Sequence, residues 1–455
     1  MNASAPQVIK MYAKREDIFP REVKGHYTNL RWICLILTQV VFYGAPWLQW
    51  NGRQAILFDL MARKFYIFGL VLWPQDFIYL AAMLIACAWG LFLVTAVAGR
   101  VWCGFSCPQT VYTEMFLWIE RKFEGTRSAQ MRLAKEPMSF NKAWRKGGKH
   151  LAWLLLSLWT GFTFVSYFSP LHNLAEAAQT FNFGPWESFW VGFYSLATYG
   201  NAGWLREQVC KYMCPYARFQ SAMFDRDTLI ITYDEKRGEP RGPKSEGSCI
   251  DCSLCVQVCP TGIDIRKGLQ YECIGCAACI DACDIVMDKI EQPRGLIRYS
   301  TDRAMAQGLG AKEIRRRVMR PRVLLYTGGL LILIVAVFTT LALRTPLKMD
   351  VIRDRGSMGR EVEDGMIENV YRLQIMNTAE KGHTYRIRAS GIDTLQVAVP
   401  DTVDVGPTET RAVPIRLRVN HGKGETGSNK IAIELTALDD PSLAVKEKAV
   451  FIVPR

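Results

Sequence analysis

Cys249-Ile-Asp-Cys252-Ser-Leu-Cys255-Val-Gln-Val-Cys259-Pro260 and Cys273-Ile-Gly-Cys276-Ala-Ala-Cys279-Ile-Asp-Ala-Cys283 are the two stretches from which the rest of the chain is read. Both have the spacing C-x2-C-x2-C-x3-C, the bacterial pattern for [4Fe–4S] ligation. Three close thiolates reach three corners of one cubane. The trailing cysteine lies too far along to close its own cluster and ligates the other one. The spacing therefore assigns Cys249, Cys252, Cys255 and Cys283 to one cluster, and Cys259, Cys273, Cys276 and Cys279 to a second. The second run ends in Asp284 where the first has Pro260, but the proline shapes a turn and is not a ligand. Zinc sites use two pairs with a longer spacer. Disulfides are disfavoured in a reducing compartment. Gly262, Gly275, Ala277 and Ala278 leave room for backbone amides beside inorganic sulfur, and such hydrogen bonds tune a cluster's potential.

Around this insert the chain is apolar. A spanning helix needs about 20 mostly apolar residues, and five stretches qualify: about Trp32–Trp50, Phe77–Gly99, Leu151–Phe168, Trp186–Leu205 and Val323–Leu343. The shorter run Phe65–Trp73 is expected to be an interfacial or re-entrant piece. No signal peptide is visible, so the first span is expected to stay. The 455 residues carry a net charge of +13 and are 49% hydrophobic, which excludes a disordered chain, and their number excludes a small disulfide-stapled domain. The whole of the +13 falls in residues 1–31, 99–150 and 206–322, while the remaining loops and the tail sum to zero. By the positive-inside rule the basic segments are cytoplasmic, and five spans put the tail on the far side. A nucleic-acid reading finds no binding motif.

Four more cysteines form a repeat. Cys103-Gly-Phe-Ser-Cys107-Pro108 follows the second span and Cys210-Lys-Tyr-Met-Cys214-Pro215 the fourth, with an offset of 107 residues. Each pair precedes an amphipathic stretch, Gln109–Phe123 and Tyr216–Phe224, in which Pro108 and Pro215 suit the first helical turn. A parallel repeat about an axis along the membrane normal would bring the four thiols together. Residues at i and i+4 share a helix face, so each pair is expected to present two sulfurs in one direction. Soft thiolates suit Cu(I) or an iron–sulfur unit, and a redox dithiol or buried inert thiols are the other readings. Arg100, Arg206, Lys211 and Arg218 would favour thiolates or serve as membrane anchors. Cys34 and Cys87 read as packing residues inside spans.

The tail after the fifth span alternates with period two in Tyr371–Met376, Thr384–Arg388, Leu395–Val399, Val413–Val419, Lys430–Leu435 and Ala449–Val453. Turn residues separate these segments, which suggests an immunoglobulin-like antiparallel sandwich. Its His383 and His421 form no metal motif, and a docking role is the expectation. No c-type haem motif, dinucleotide fingerprint or P-loop occurs. Electrons are expected to come from a partner or quinol.

Four stretches carry a resemblance: Arg15–Gly25, Phe65–Phe77, Gly99–Val111 and Glu207–Gln220. With the ferredoxin motif and the tail, the chain resembles the CcoG/FixG/RdxA family of membrane polyferredoxins, accessory proteins of cbb-type cytochrome c oxidase assembly. Related nitrate and nitrous-oxide reductase maturation polyferredoxins share the C-x3-C-P pairs. The resemblance implies a cupric reductase of the bacterial inner membrane. Copper would be held by Cys103, Cys107, Cys210 and Cys214 as catalytic and metal-binding residues, or a third metal site would lie there. Its partners would be the oxidase and its copper-assembly factors, an unidentified electron donor and the lipid bilayer, with a homodimer among the expected states.

The expected fold is a multi-domain membrane protein. An α-helical transmembrane bundle of about five spans with an internal parallel repeat carries a cytoplasmic bacterial-type 2[4Fe–4S] ferredoxin insert and a C-terminal extracytoplasmic immunoglobulin-like β-sandwich. The expected boundaries are residues 1–31 for an N-terminal segment, 32–225 for a four-span domain, 226–322 for the ferredoxin domain, 323–343 for the fifth helix and 344–455 for the sandwich. The rival expectations are a quinol-linked electron conduit and a non-enzymatic assembly scaffold.

Overall fold

The computed structural model describes residues 18–454 apart from 355, 357, 358, 363, 364, 399 and 400, and only the backbone of residue 221. Residues 1–17, including Arg15–Asp17 of the first resembling stretch, and Val399 of an expected strand lie outside the described residues. The chain divides into two compact units, Met1–Leu48 with Ala81–Leu333, and Gln49–Leu80 with Ile334–Arg455.

The expected spans are helical. They are His26–Gly44, Phe77–Ala98, Phe140–Val165, Pro185–Thr198 and Pro321–Ala342. Among the described residues, His26–Trp47, Pro74–Ala98 and Pro321–Ala342 are long and apolar enough to cross a membrane. The third helix starts eleven residues before its expected span, because Lys142, Arg145, Lys146 and Lys149 are good helix formers and continue it outward. Ser139 caps it by accepting from the Lys142 amide at 3.3 Å. The fourth helix is shorter than its expected span. It gives way to π-helical turns at Tyr199–Leu205, a form that recurs at functional sites. The third and fourth helices cross closely, since a Cβ on Gly161 would stand 2.6 Å from the Val191 carbonyl oxygen. Small residues permit such crossings inside membranes. Leu154, Leu158, Phe189, Trp190 and Phe193 stay exposed on these two helices.

The insert is closed at its base by an antiparallel pair, Ile230–Tyr233 with Ile297–Ser300. Its two cysteine runs share a backbone signature. Asp251 and Ser253 have positive φ, and so do Gly275 and Ala277, the residues at the same places in the second run. Alternating hands of this kind turn successive N–H groups toward one point. The helices Leu254–Gln257 and Ala278–Lys289 follow the two signatures.

The second unit is a sandwich of two antiparallel sheets. In one, Gln396–Val397, Thr410–Val419, Ile367–Asn377 and Leu347–Arg353 lie side by side, and Arg360–Glu361 pairs with the third of these. In the other, the order is Thr402–Val405, His383–Ser390, Gly427–Ala437 and Ala444–Val453. Tyr371, Leu373, Ile375, Ile415, Leu417, Ile433, Leu435 and Phe451 fill the space between them, as period-two strands require. Leu347–Arg353 and Thr402–Val405 had no counterpart among the expected strands.

Phe65–Trp73, expected to be an interfacial or re-entrant piece, folds as β-structure. Its residues form the strands Lys64–Ile67 and Leu70–Leu72, which with Ile56–Asp59 make a three-stranded antiparallel sheet. Phe68 and Gly69 turn the chain between them. Val71 and Trp73 pack on Met376 of the sandwich, and Asp76 pairs with Arg344 at 2.7 Å and with Lys348. Gln49–Leu80 therefore groups with the C-terminal unit, and not with the membrane domain whose sequence boundaries enclose it.

Candidate metal centres

Two small cavities lie inside the ferredoxin insert. Cys249, Cys252, Cys255 and Cys283 line the first, with Tyr233, Leu254, Val286 and Met287. Cys259, Cys273, Cys276 and Cys279 line the second, with Ile231, Ile263, Ile265 and Ile274, and Cys255 stands between the two. The trailing cysteine of each run thus sits with the other run's triplet. All fourteen cysteines are free thiols. Burial pushes Cys255 up to about 11 and Cys273 and Cys283 up to about 12. Thiols raised in this way would stay protonated in a bare cavity. A cluster, which binds them as thiolates, supplies the missing positive charge. The amides of Gly275 and Ala278 point at the sulfurs of Cys273 and Cys276. The residues therefore fit two [4Fe–4S] groups.

The four C-x3-C-P cysteines also converge. Cys107 is within electrostatic reach of Cys103 and Cys214, and Cys210 of all three others. The pairs do not lie on single helix faces, as the i, i+4 spacing suggested. Cys103 is inside the helix Val101–Phe105, but Cys107 is extended and caps the next helix, Pro108–Glu124. Cys210 is in the π-helical turn Val209–Met213, and Cys214 is extended ahead of Pro215–Met223. The residue before a proline is pushed out of the α region, so each motif bends between its two sulfurs. The Cys107 sulfur gains the amides of Gln109 and Thr110 at the new helix N-terminus. Burial raises Cys103 and Cys107, and pushes Cys210 up to about 12.

The two halves of the repeat lock reciprocally. Gln109 and Tyr216 occupy equivalent places, two residues after the second cysteine of each motif. The Gln109 amide donates to Asn201 O at 2.9 Å and Arg206 O at 3.1 Å, ahead of Cys210. Tyr216 pairs with Thr95 Oγ1 at 2.5 Å and donates to Leu91 O at 3.2 Å, ahead of Cys103. Gln220 accepts from the Cys103 thiol at 3.4 Å.

This site abuts the second ferredoxin cavity. A Cβ on Gly104 would stand 2.7 Å from Gly275 O and 2.8 Å from the Cys276 Cα. Gly275 in turn needs its positive φ and its lack of a side chain against Arg100. Tyr299 donates to Gly275 O at 2.6 Å. One continuous core joins Cys103 to Cys255, Cys276 and Cys279. Arg100 is 6% exposed, donates to Tyr271 O, and faces Cys103, Cys210 and Cys273. Arg206 goes elsewhere, pairing with Glu120 at 2.7 Å. Asp281, between two ligand cysteines, had no motif to announce it. Its buried carboxylate accepts from Thr28 N at 2.7 Å, Thr28 Oγ1 at 2.8 Å and Tyr27 N at 3.2 Å, so the insert caps the first helix.

Comparison with known proteins follows the same divisions. A family model described as a 4Fe-4S dicluster domain matches residues 205–246 and 239–302, and one described as a 4Fe-4S binding domain matches 80–125. A third, an IG-like fold at the C-terminal of FixG, matches 337–454. The nitrogen fixation protein FixG of Rhizobium meliloti is 36% identical across 95% of this chain and 91% of its own. Protein RdxB of Cereibacter sphaeroides is 40% identical across 93% of each. The chain belongs to the FixG family. A crystal structure of a FixG-related protein from Vibrio parahaemolyticus is 26% identical, covering 24% of this chain and 96% of that one, with a TM-score of 0.22. As a FixG-family member the chain is an iron–sulfur electron-transfer protein with an immunoglobulin-like C-terminal domain.

Proposed function

We propose that this FixG-family protein is a cupric reductase, passing electrons to the four-cysteine site and there converting Cu(II) to Cu(I) for cbb-type oxidase assembly. The observation that carries the reading is the direct packing of Gly104, inside the first C-x3-C-P motif, on Gly275–Cys276 of the second ferredoxin cavity. When bound by the eight ferredoxin cysteines, the two clusters supply one-electron carriers. The chain's own residues do the rest. Thiolate favours Cu(I) over Cu(II), so a thiol-lined site makes the acceptance of one electron by copper more favourable. The raised thiols release protons as metal binds, and the buried Arg100 offsets the negative charge this leaves. The basic loops support a cytoplasmic side for both the ferredoxin insert and the four cysteines, and copper would leave the site as Cu(I) for the assembly factors.

The test is Cu(II) reduction by the purified full chain, supplied with a low-potential donor, before and after Cys103, Cys107, Cys210 and Cys214 are changed to serine. A rate that falls at least tenfold, with the ferredoxin clusters intact, supports the role of the site. An unchanged rate rejects it.

A further inference from the structure

We infer that Cys103, Cys107, Cys210 and Cys214 together hold a resident [4Fe–4S] cluster, the third in the chain. On this inference the four thiolates serve the cluster, and copper takes its electron as a substrate at the cluster's edge; this replaces the direct thiol ligation of copper proposed above and keeps the four-cysteine site as the place of reduction. The inference rests on the electron route proposed above but not on copper as its end point.

Four observations support it. First, the donor set is four cysteines from two halves of a repeat, locked by the reciprocal bonds of Gln109 and Tyr216. Four thiolates and no other donor is the ligand set of a cubane. Second, the four sulfurs lie within electrostatic reach of one another, and their site packs directly on the second ferredoxin cavity through Gly104 against Gly275 and Cys276. Third, the sulfurs are cradled alike. Cys107 faces the amides of Gln109 and Thr110, as Cys273 faces that of Gly275 and Cys276 that of Ala278. Amides aimed at ligand sulfur recur at iron–sulfur sites.

The fourth observation is Arg100. Its guanidinium is more than nine-tenths buried between the two sites, facing Cys103 and Cys210 on one side and Cys273 on the other, and its Nε lacks a hydrogen-bond partner. A buried cation with an orphaned donor needs an anion beside it. Four thiolates around an oxidised cubane core leave a net charge of about −2, which Arg100 meets from within hydrogen-bonding reach of Cys103. The match of residues 80–125 to a 4Fe-4S binding domain fits as well. That segment holds Cys103 and Cys107 and none of the eight ferredoxin cysteines.

The test is the iron and acid-labile sulfide content of the full chain, purified and reconstituted without oxygen, together with its EPR spectrum on reduction. About twelve irons per chain, and about eight in the variant with the four cysteines changed to serine, are expected for three cubanes and two. About eight irons in the unchanged chain overturns the inference, whether or not copper is bound. Should the fourfold variant fail to fold, Arg100→Gln serves in its place. Loss of a buried positive charge beside a cluster disfavours adding an electron, and Arg100 also faces Cys273, so two of three reduction potentials fall while the iron count holds at about twelve. Three unmoved potentials overturn the inference. Cu(II) reduction measured on the same samples separates the two claims. Twelve irons without copper turnover rejects the copper reading alone, and eight irons with turnover rejects the third cluster alone.

Discussion

Replacing Asp281 by alanine should detach the first membrane helix from the ferredoxin insert. The His26–Gly44 helix has Gly25 at its N-cap and no capping side chain of its own. Asp281, 5% exposed on the helix Ala278–Lys289, supplies the cap from 254 residues away, accepting from the amides of Tyr27 and Thr28 and from the Thr28 hydroxyl. Loss of an N-cap costs about 1 kcal/mol. Stranding a buried donor costs about 1–3 kcal/mol. With two amides and a hydroxyl affected, and some rescue by water, Asp281→Ala should cost ~3 kcal/mol. At about 1.4 kcal/mol per factor of ten, local opening of the helix start rises roughly 100-fold. Asp281→Asn keeps an acceptor but loses the charge at the helix N-terminus, a change of about 0.3–1 kcal/mol. Gly25→Ala is the independent check. The Gly25 backbone is extended and suits any residue, but its Cβ would collide with the Asp281 carboxylate. Hydrogen exchange of the Gly25–Asn29 amides in the detergent-solubilised chain reads the effect directly. Exchange in Asp281→Ala within about threefold of the unchanged chain, or under 0.7 kcal/mol, would refute the trans-capping account.

Other substitutions test other joints. Gly104→Val presses a branched side chain onto Gly275 O and the Cys276 backbone, which cannot yield as a side chain would. It should cost about 1–3 kcal/mol of stability and slow re-oxidation of the ferredoxin clusters by Cu(II), read by their visible absorbance. Lys149 pairs with Glu120 at 3.2 Å and Glu124 at 2.7 Å, all three buried. Lys149→Met removes the cation the two carboxylates share but leaves Glu120 with Arg206 and Glu124 with Lys146, and should lower unfolding stability by about 1–3 kcal/mol in a denaturant titration. In the C-terminal domain, burial would raise the Glu368 carboxyl, but hydrogen bonds from Arg360 and Arg418 outweigh it and hold the group below its usual range. A depressed carboxylate adds stability at neutral pH that disappears as pH falls through its folded-state value. Hydrogen exchange in Ile367–Asn377 should therefore accelerate in acid, below the ordinary glutamate range, and Glu368→Gln should flatten that dependence. An equally steep curve in the variant counts against the pairing.

The cysteine pattern made much of the site legible before any fold was known. The crossed sets in the two cavities follow from one fact, that a trailing cysteine four residues past its triplet cannot reach back to the same cubane. The convergence of Cys103, Cys107, Cys210 and Cys214 was readable from the 107-residue offset, because equal motifs after equal spans call for an axis between them. What that spacing could not convey was the bend inside each motif. Proline at the following position overrides helical periodicity, and the i, i+4 expectation lost to it. The Gln49–Leu80 segment was misjudged for a different reason. Its strands are three or four residues long, shorter than the window in which alternation shows, and an aromatic run such as Phe65–Phe68 looks apolar whichever way it folds. Asp281 was illegible in its role because its partners are far away in sequence. Nothing near Cys279 announces that a carboxylate there caps a helix starting at residue 26. Arg100 read either as a charge favouring thiolates or as an anchor at the end of a span, and the structure turns its guanidinium to thiols from both halves of the repeat.

The central claim is that electrons held by the ferredoxin insert reach copper at the four-cysteine site. The most direct measurement is to mix the fully reduced, anaerobic chain with Cu(II) in a stopped-flow cell, following the cluster absorbance and a Cu(I)-specific chelator together. The account predicts that the clusters re-oxidise as Cu(I) appears, one electron for each copper, and that serine at the four C-x3-C-P positions abolishes both signals at once. Clusters that stay reduced in the presence of Cu(II), or Cu(I) that forms at the same rate in the serine variant, would contradict it.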